Sequence, residues 1–409
     1  MANPAPPLPH KIGEREFVAM MGMLQALQAL AIDAMLPALG IMAQDLGVAD
    51  SNQRQLVIGA FLLGSGVGSL LPGALSDRFG RKPVLLVCIA AYFILSFACA
   101  LATSLDMLVA LRFFQAVFCS GMAVIPAAII RDSHEGDRMA RMQSLIGVVF
   151  MIVPVLAPLL GQAVLLFASW RWIFGVLAFF SALLMIWTAL RLPETMKPEF
   201  RQPIAPRTIV ANMGRVFVTR EAIGYILATA CTSAVLFGFI NSAQQLIGER
   251  FQAGHAFGLV FGAIAMTMAF ANYGNSRIVM KFGARRVSHT GLFVYLSLGA
   301  AQLYFAWDGE ETLWQFMPLM MATFGIMSFM TANFTAIAIQ PFARTAGAAA
   351  SVHVFLRMVI GAVLGAGIGQ AYDGTARPLA GAMLLAGFCV LALVLFSERG
   401  KLFGRSNLQ

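Results

Sequence analysis

The residues that could do chemistry lie inside apolar segments, and the first is Asp33 in the stretch AIDAMLPALG. A carboxylate inside a spanning helix costs several kcal/mol unless it is paired or neutralised, so it is a functional candidate by default. Arg112, in the fourth apolar segment, is predicted to lie at a similar depth, about 10 Å from the same end of its helix. We predict that Asp33 binds a coupled proton and that Arg112 tunes the pKa of Asp33 or exchanges hydrogen bonds with substrate. The alternatives are a fixed ion pair, or an aspartate that shapes the chain before Pro37.

Further polar side chains in apolar segments are candidates for a substrate cavity, because amides and charges avoid lipid unless they have partners. His353 and Arg357 stand four residues apart and therefore share a helix face, where they could contact substrate or sense pH. A hydrogen-bonded packing role is the alternative for His353. The amides predicted to line the cavity are Gln25, Gln115, Asn241 and Asn333.

The stretch GALSDRFGRKP begins at Gly73 and could form a conformational latch. Its glycines allow a tight turn and a close approach of helices, and Asp77 could accept hydrogen bonds from backbone amides at a helix start. The alternative is a short loop anchored by basic residues, which is the role we assign to Lys82. The predicted latch residues are Gly73, Asp77, Arg78, Gly80 and Arg81.

Pro154, Pro158 and Gly161 lie at spacings of four and three in the fifth apolar segment. Such spacing bends a helix and lets a neighbour pack closely. Ordinary helix packing is one explanation of these residues.

Composition fixes the elements that must carry these residues: 59% of the 409 residues are hydrophobic and only 11% are charged. One soluble core could not bury that much apolar surface, and a spanning helix needs about 20 apolar residues. We therefore predict an all-α membrane protein of twelve transmembrane helices in two pseudo-symmetric six-helix bundles. The segments are 17–39, 54–75, 84–103, 105–130, 143–167, 170–192, 222–247, 256–279, 287–307, 313–338, 346–371 and 377–397.

Basic residues set the predicted topology. Of the 28 Lys and Arg residues, 22 fall on one side of the predicted membrane, and only Arg54, Arg171, Arg250 and Arg377 fall in loops on the other side. The positive-inside rule then places both termini in the cytoplasm, and an internal echo between DRFGRK and MKFGARR supports two related halves. The predicted parts are an N-terminal tail 1–16, a bundle 17–192, a linker 193–221, a bundle 222–397 and a C-terminal tail 398–409.

Several function classes lack their residues in this sequence. The excess positive charge follows topology, so no nucleic-acid partner is predicted. No P-loop, HExxH, Cys/His cluster or GxSxG is present, so we expect no enzyme activity, metal or cofactor. Without a P-loop, any transport would take its energy from an ion gradient rather than from ATP. The five cysteines are predicted to be free thiols.

These motifs resemble the major facilitator superfamily, specifically the drug/proton antiporters of the Bcr/CflA group. The resemblance rests on GALSDRFGRKP, LRFFQAV, VPVLAPLLGQ, IDAMLPAL, IIRD, SWRWIF, LPET and TANFTAIAIQPF. It implies an alternating-access exporter of the bacterial inner membrane, an antiporter motif at Pro154, Pro158 and Gly161, and a latch around Asp77.

The single clear carboxylate favours neutral or zwitterionic substrates, with Gln25 standing eight residues before Asp33. We expect a monomer that exports small, largely apolar antibiotics, phenicol-like or similar, in exchange for protons. A proton-coupled metabolite importer on the same fold and a non-transporting membrane sensor remain alternatives.

Overall fold

The computed structural model describes residues 12–134, 136–196, 214–342 and 346–403, and all regular structure in these ranges is helical. The chain divides into two compact units. The first comprises Met1–Ala49 and Ala60–Ala205, and the second comprises Asp50–Gly59 and Pro206–Gln409.

The first unit begins with a helix that breaks near Asp33 and continues as a 3₁₀ turn, Leu36–Ala38, and a short helix. The second apolar segment is also broken, into two helices at 44° to each other. The helices are α1 (Glu14–Asp33), α2 (Leu39–Asp45), α3 (Leu56–Gly68), α4 (Leu71–Phe79), α5 (Arg81–Ala100), α6 (Leu105–Ser133), α7 (Gly136–Phe167) and α8 (Arg171–Arg191).

The second unit contains six long helices, and the first of them runs on into a π-helical segment, Gln244–Arg250. The helices are α9 (Arg220–Ala243), α10 (Phe257–Phe282), α11 (Ala284–Ala306), α12 (Leu313–Ile339), α13 (Ala346–Gln370) and α14 (Arg377–Ser397).

Length and hydropathy identify the membrane-crossing helices. Ten in the described part of the chain are long and apolar enough to span a bilayer, and the bent pair α3 and α4 makes an eleventh. The one predicted segment that remains is 287–307, which is α11, a helix of 23 residues. Its apolar run is interrupted by His289 and Gln302. The predicted all-α, multi-span fold class is confirmed.

Glycines bring helices into close contact within each unit. A Cβ at Gly64 of α3 would lie 2.3 Å from the carbonyl oxygen of Phe113 in α6, and one at Gly365 of α13 would lie 2.7 Å from the Cβ of Phe237 in α9. Because no side chain fits at these distances, glycine is required where the helices touch. The contact at Gly64 positions α6, which carries Arg112.

Candidate functional site

Asp33 is the last residue of α1, and its side chain is buried, with 6% of its surface exposed. The helix ends there because Pro37 has no N–H to donate to the Asp33 carbonyl. Within the described residues, no hydrogen bond or ion pair reaches the Asp33 carboxylate. Gln25 lies two turns earlier on the same face of α1 and is half-buried.

Arg112 of α6 is fully buried and makes no ion pair with Asp33 in this structure. Its guanidinium donates to the carbonyl oxygen of Ala31 at 2.9 Å. That oxygen is available because the Met35 N–H, its partner in a continuing helix, bonds to Ile32 instead. Arg112 therefore caps the C-terminal end of α1, where the helix dipole favours a positive charge.

The remaining surroundings of Arg112 connect it to α5 and to aromatic rings. Its Nη1 donates to Gln115 Oε1 at 2.7 Å, and Gln115 Nε2 donates in turn to Ser96 Oγ at 2.7 Å. The guanidinium carbon lies 4.1 Å from the ring centre of Phe61, a cation–π distance. Gln115, predicted to line a cavity, is thus fully buried in a hydrogen-bonded chain.

The motif of α7 contacts the chain that leaves Asp33. A Cβ at Gly161 would lie 2.0 Å from the carbonyl oxygen of Ala34 and 3.1 Å from Pro37 Cγ, so only glycine fits there. Pro154 and Pro158 both lie inside α7. The glycine therefore sets how closely α7 approaches the end of α1.

The predicted latch is centred on Arg81, the first residue of α5, which is 2% exposed. Its guanidinium forms ion pairs with Asp77 at 2.6 Å and with Asp132 at 2.9 Å, and it donates to Ser76 Oγ at 2.7 Å. Arg81 thereby joins α4, α5 and the end of α6.

The other predicted latch residues have looser surroundings. Arg78 is exposed and lies over the ring of Phe79, with 5.2 Å from its guanidinium carbon to the ring centre. At Gly73 the nearest atom to an added Cβ is 3.9 Å away, so a small side chain has room there.

The start of α5 is held by Glu194, which follows α8. Its carboxylate accepts from the backbone N–H groups of Arg81 at 2.9 Å and Lys82 at 3.2 Å, where the helix dipole favours a negative charge. Gly80 has φ +103° and a Cβ there would lie 2.5 Å from Glu194 Oε2. The sequence suggested Asp77 as the acceptor for helix-start amides, whereas the structure assigns that role to Glu194.

The two predicted amides of the second unit differ in their partners. Asn333 of α12 donates to Asn275 Oδ1 in α10 and to the carbonyl of Phe329, both at 2.9 Å. Asn241 of α9 is 1% exposed, and neither atom of its amide has a hydrogen-bond partner among the described residues. Asn241 therefore has unused donor and acceptor capacity inside the unit.

His353 and Arg357 lie one turn apart on α13, as their spacing predicts. His353 Nε2 lies 2.9 Å from the hydroxyl of Thr229 and 3.5 Å from that of Thr335. Both hydroxyls also donate to backbone carbonyls, an arrangement that a protonated Nε2 would complete by donating to them. Arg357 is half-buried and makes no hydrogen bond or ion pair within the described ranges.

A polar cluster at the start of α11 was not identified from the sequence. Glu398, which follows α14, accepts from Arg285 Nε and from the hydroxyl of Tyr225, both at 2.7 Å. His289 Nε2 lies 3.0 Å from the same hydroxyl. In each unit a glutamate that follows the last long helix bonds to an arginine near a helix start, through the backbone N–H of Arg81 in the first unit and through the side chain of Arg285 in the second. The echo between DRFGRK and MKFGARR was the available signal.

Comparisons with known proteins agree with these features. A family model described as Major Facilitator Superfamily matches residues 21–366. The bicyclomycin resistance protein homolog of Haemophilus influenzae is 29% identical over 381 residues, which cover 93% of this chain and 94% of the relative. The chloramphenicol resistance protein of Pseudomonas aeruginosa is 28% identical over 361 residues, which cover 84% and 81%.

Solved structures show the same fold at low sequence identity. The peptide transporter POT matches with a TM-score of 0.76 and 12% identity, and the match covers 95% of both chains. The resemblance to Bcr/CflA drug exporters that the motifs predict is confirmed by the relatives. With its spanning helices and a family model that covers most of its length, this chain belongs to the Major Facilitator Superfamily and is a multi-pass membrane transporter.

Proposed function

We propose that this transporter is a proton-coupled exporter of small, largely apolar drugs in the bacterial inner membrane. It would work as a monomer by alternating access between the bundles 17–192 and 222–397, with both termini in the cytoplasm. Two relatives are named for resistance to bicyclomycin and to chloramphenicol, which supports drug export.

The observation that carries the proposal is the buried, unpartnered carboxylate of Asp33 at the broken end of α1. Burial without a cation disfavours the charged form, so the neutral acid is the form that these surroundings stabilise. A carboxyl group that is neutral here and ionised when water reaches it would bind and release one proton in each cycle.

Arg112 would link that proton to the helices. It binds the carbonyl of Ala31 two residues before Asp33, while Gly161 of α7 contacts Ala34 one residue after it. A shift of α1 towards or away from α6 would exchange the Arg112 bond to Ala31 for one to Asp33 or to substrate. Such an exchange gives Asp33 a different partner in each facing state.

The side chains available for binding favour neutral or zwitterionic substrates. Gln25, on the same face of α1 as Asp33, provides an amide rather than a second acid. In the second unit, Asn241 has an unused amide and Arg357 an unpaired guanidinium. We propose that groups of this kind bind the hydroxyl, amide or nitro groups of phenicol-like compounds, and that Gln115, Asn333 and His353 belong to the same predicted set.

The Arg81 cluster would act as the cytoplasmic latch. It joins α4, α5 and α6 through Asp77 and Asp132, so a movement of α4 would have to break the ion pair between buried Arg81 and half-exposed Asp77 or carry α5 with it. That arrangement would stabilise one facing state over the other.

Drug accumulation in cells tests the direction and the substrate class together. Cells that express the protein should accumulate less chloramphenicol than cells with an empty vector, and a protonophore should abolish the difference. Higher accumulation would indicate import and contradict the proposal. Stronger export of a divalent cation than of any neutral drug would contradict the substrate class.

A further inference from the structure

A second polar site lies in the second unit, in the connection between α11 and α12. A cavity of about 770 Å³ opens there, with aromatic and acidic side chains in its wall. The residues that matter for binding are Tyr304, Trp307, Asp308, Glu310 and Glu311. The cavity is remote in sequence from Asp33 and uses none of the residues assigned to transport.

Glu311 distinguishes this cavity from a cluster of surface acids, because its carboxyl-bearing side chain is only 5% exposed. Its Oε1 accepts from Gln302 Nε2 at 2.5 Å, whereas its Oε2 and the Oε1 of Gln302 have no partner among the described residues. Two buried acceptors without donors indicate that a donor is missing. Burial raises the pKa of Glu311 to about 7, above its ordinary range, against the lowering effects of the Gln302 hydrogen bond and of Arg250.

The backbone of this connection is held by arginines from two other segments. Arg250 donates to the carbonyl oxygen of Gly309, and Arg377 Nε donates to that of Ala306 at 3.3 Å. Gly309 has φ +73°, and a Cβ there would lie 2.9 Å from Arg377. The turn is therefore fixed by backbone contacts rather than by pairing of its acids.

The acids of the cavity are consequently free of ion pairs. Asp308 and Glu310 are exposed, and neither they nor Glu311 forms an ion pair in the described part of the chain. Arg250 and Arg377 contact the connection between α11 and α12, and both donate to its carbonyl groups.

The aromatic side chains define which cation would fit. Tyr304 is 77% exposed and Trp307 is 66% exposed, and both line the cavity. Aromatic faces beside carboxylates attract organic cations through cation–π and ionic interactions together. No group of three or more metal-ligating side chains occurs within the described ranges, which favours an organic cation over a metal ion.

We propose that this cavity binds an organic ammonium group, which pairs with the carboxylate of Glu311 in the cavity wall and whose apolar part contacts Tyr304 and Trp307. The ammonium could belong to a lipid headgroup such as phosphatidylethanolamine or to a free amphipathic amine. Exposed tryptophan and tyrosine are typical of the membrane interface, where both kinds of molecule collect.

The test is calorimetric titration of the full chain, purified in a neutral detergent at pH 8, with phenethylammonium. We expect saturable binding that Glu311→Gln weakens at least tenfold. Asp373→Asn, which changes an exposed acid outside the cavity wall, should leave it within twofold. Binding to the wild-type chain should weaken as pH falls through about 7, because Glu311 becomes neutral.

Absence of saturable binding, or equal binding by a folded Glu311→Gln variant, would overturn the proposal. If Glu311→Gln does not fold, Trp307→Ala provides the second variant, and the same tenfold loss is expected. Because Glu311 lies outside the proposed transport site, Glu311→Gln should retain drug-driven proton movement, so the two proposals fail separately.

Lipid composition identifies the source of the ammonium group. In nanodiscs of phosphatidylglycerol, phenethylammonium should bind at least tenfold more tightly than in nanodiscs rich in phosphatidylethanolamine if the headgroup occupies the site. Equal affinity in both would assign the site to free amines. Loss of binding in both would contradict an ammonium site in the membrane-embedded protein.

Discussion

Arg112 donates a hydrogen bond to the carbonyl oxygen of Ala31, at 2.9 Å, and not to the carboxylate of Asp33 two residues later. Arg112 of α6 therefore contacts α1 two residues before Asp33 without forming an ion pair with it in this structure. A guanidinium on a helix-end carbonyl stabilises the helix break, and within the described residues the aspartate has no ion-pair partner.

Removing the Arg112 side-chain donors should destabilise the first unit. Arg112→Met fills a similar volume but leaves the Ala31 carbonyl without this donor, at a cost of about 1–3 kcal/mol. It also leaves Gln115 Oε1 with only the weak donor Cys99 Sγ, at 4.0 Å. Denaturant unfolding in detergent measures the loss. Gln115→Leu in the Arg112→Met background should cost less than Gln115→Leu alone, because the partners are already gone, and simple additivity would contradict the coupled network.

A methyl group at Gly161 should damage the packing of α7 on α1. Gly161→Ala places a Cβ 2.0 Å from the Ala34 carbonyl, so we expect a loss of at least about 2 kcal/mol, or displacement of α1 and loss of transport. Gly147→Ala is the matched control on the same helix, since nothing lies within 4 Å of its Cβ. Equal melting temperatures and equal transport in the two variants would rule out the close contact.

Loss of the Glu194 carboxylate should weaken the start of α5. Glu194→Ala removes the acceptor for the Arg81 and Lys82 amides and is expected to lower stability by about 1 kcal/mol, as for other helix caps. Glu14→Ala, which removes an exposed ion pair with Arg141, should change stability by less than about 0.5 kcal/mol. A larger effect for Glu14 than for Glu194 would contradict the capping role.

The Glu311 carboxyl should make stability depend on pH near neutrality. Its pKa in the folded chain is raised to about 7, so between its ordinary range and pH 7 the folded state binds more protons than the unfolded state. Stability contributed by the neutral acid is therefore present at low pH and is lost as pH rises through about 7. Glu311→Gln should match the wild-type melting temperature near pH 5 and exceed it at pH 8, and an identical difference at both pH values would contradict burial of this carboxyl.

Much of the fold followed from the sequence, because runs of about 20 apolar residues leave few alternatives to spanning helices. The breaks were harder to locate. Pro37 indicated one at the end of α1, and Pro72, in the first turn of α4, was the local signal for the break between α3 and α4. Among the twelve predicted segments, α11 is less apolar than the helices that are long and apolar enough to span a bilayer, because His289 and Gln302 interrupt its apolar run.

The sequence predicts the partners of the buried polar groups less well than it predicts the fold. Asp33 and Arg112 stood out by their chemistry, but the acceptor of Arg112 is a backbone carbonyl, which any residue type can provide. Glu194 lies 113 residues from Arg81. In the sequence it stood out only as part of LPET, one of the motifs of the family resemblance. Asn333 pairs with Asn275, and its choice of partner depends on how α10 and α12 pack rather than on local sequence.

The central claim is that Asp33 carries the coupled proton. The measurement is proton movement into vesicles that contain the purified protein and a pH-sensitive dye, after a proton gradient is imposed and a panel of antibiotics is added. Wild-type protein and Asp106→Asn, an exposed acid in the first turn of α6, should both show drug-triggered proton movement, whereas Asp33→Asn should show none. Unchanged proton movement in folded Asp33→Asn would contradict the account and make Asp33 structural, and wild-type vesicles that move no protons with any drug would contradict proton-coupled export.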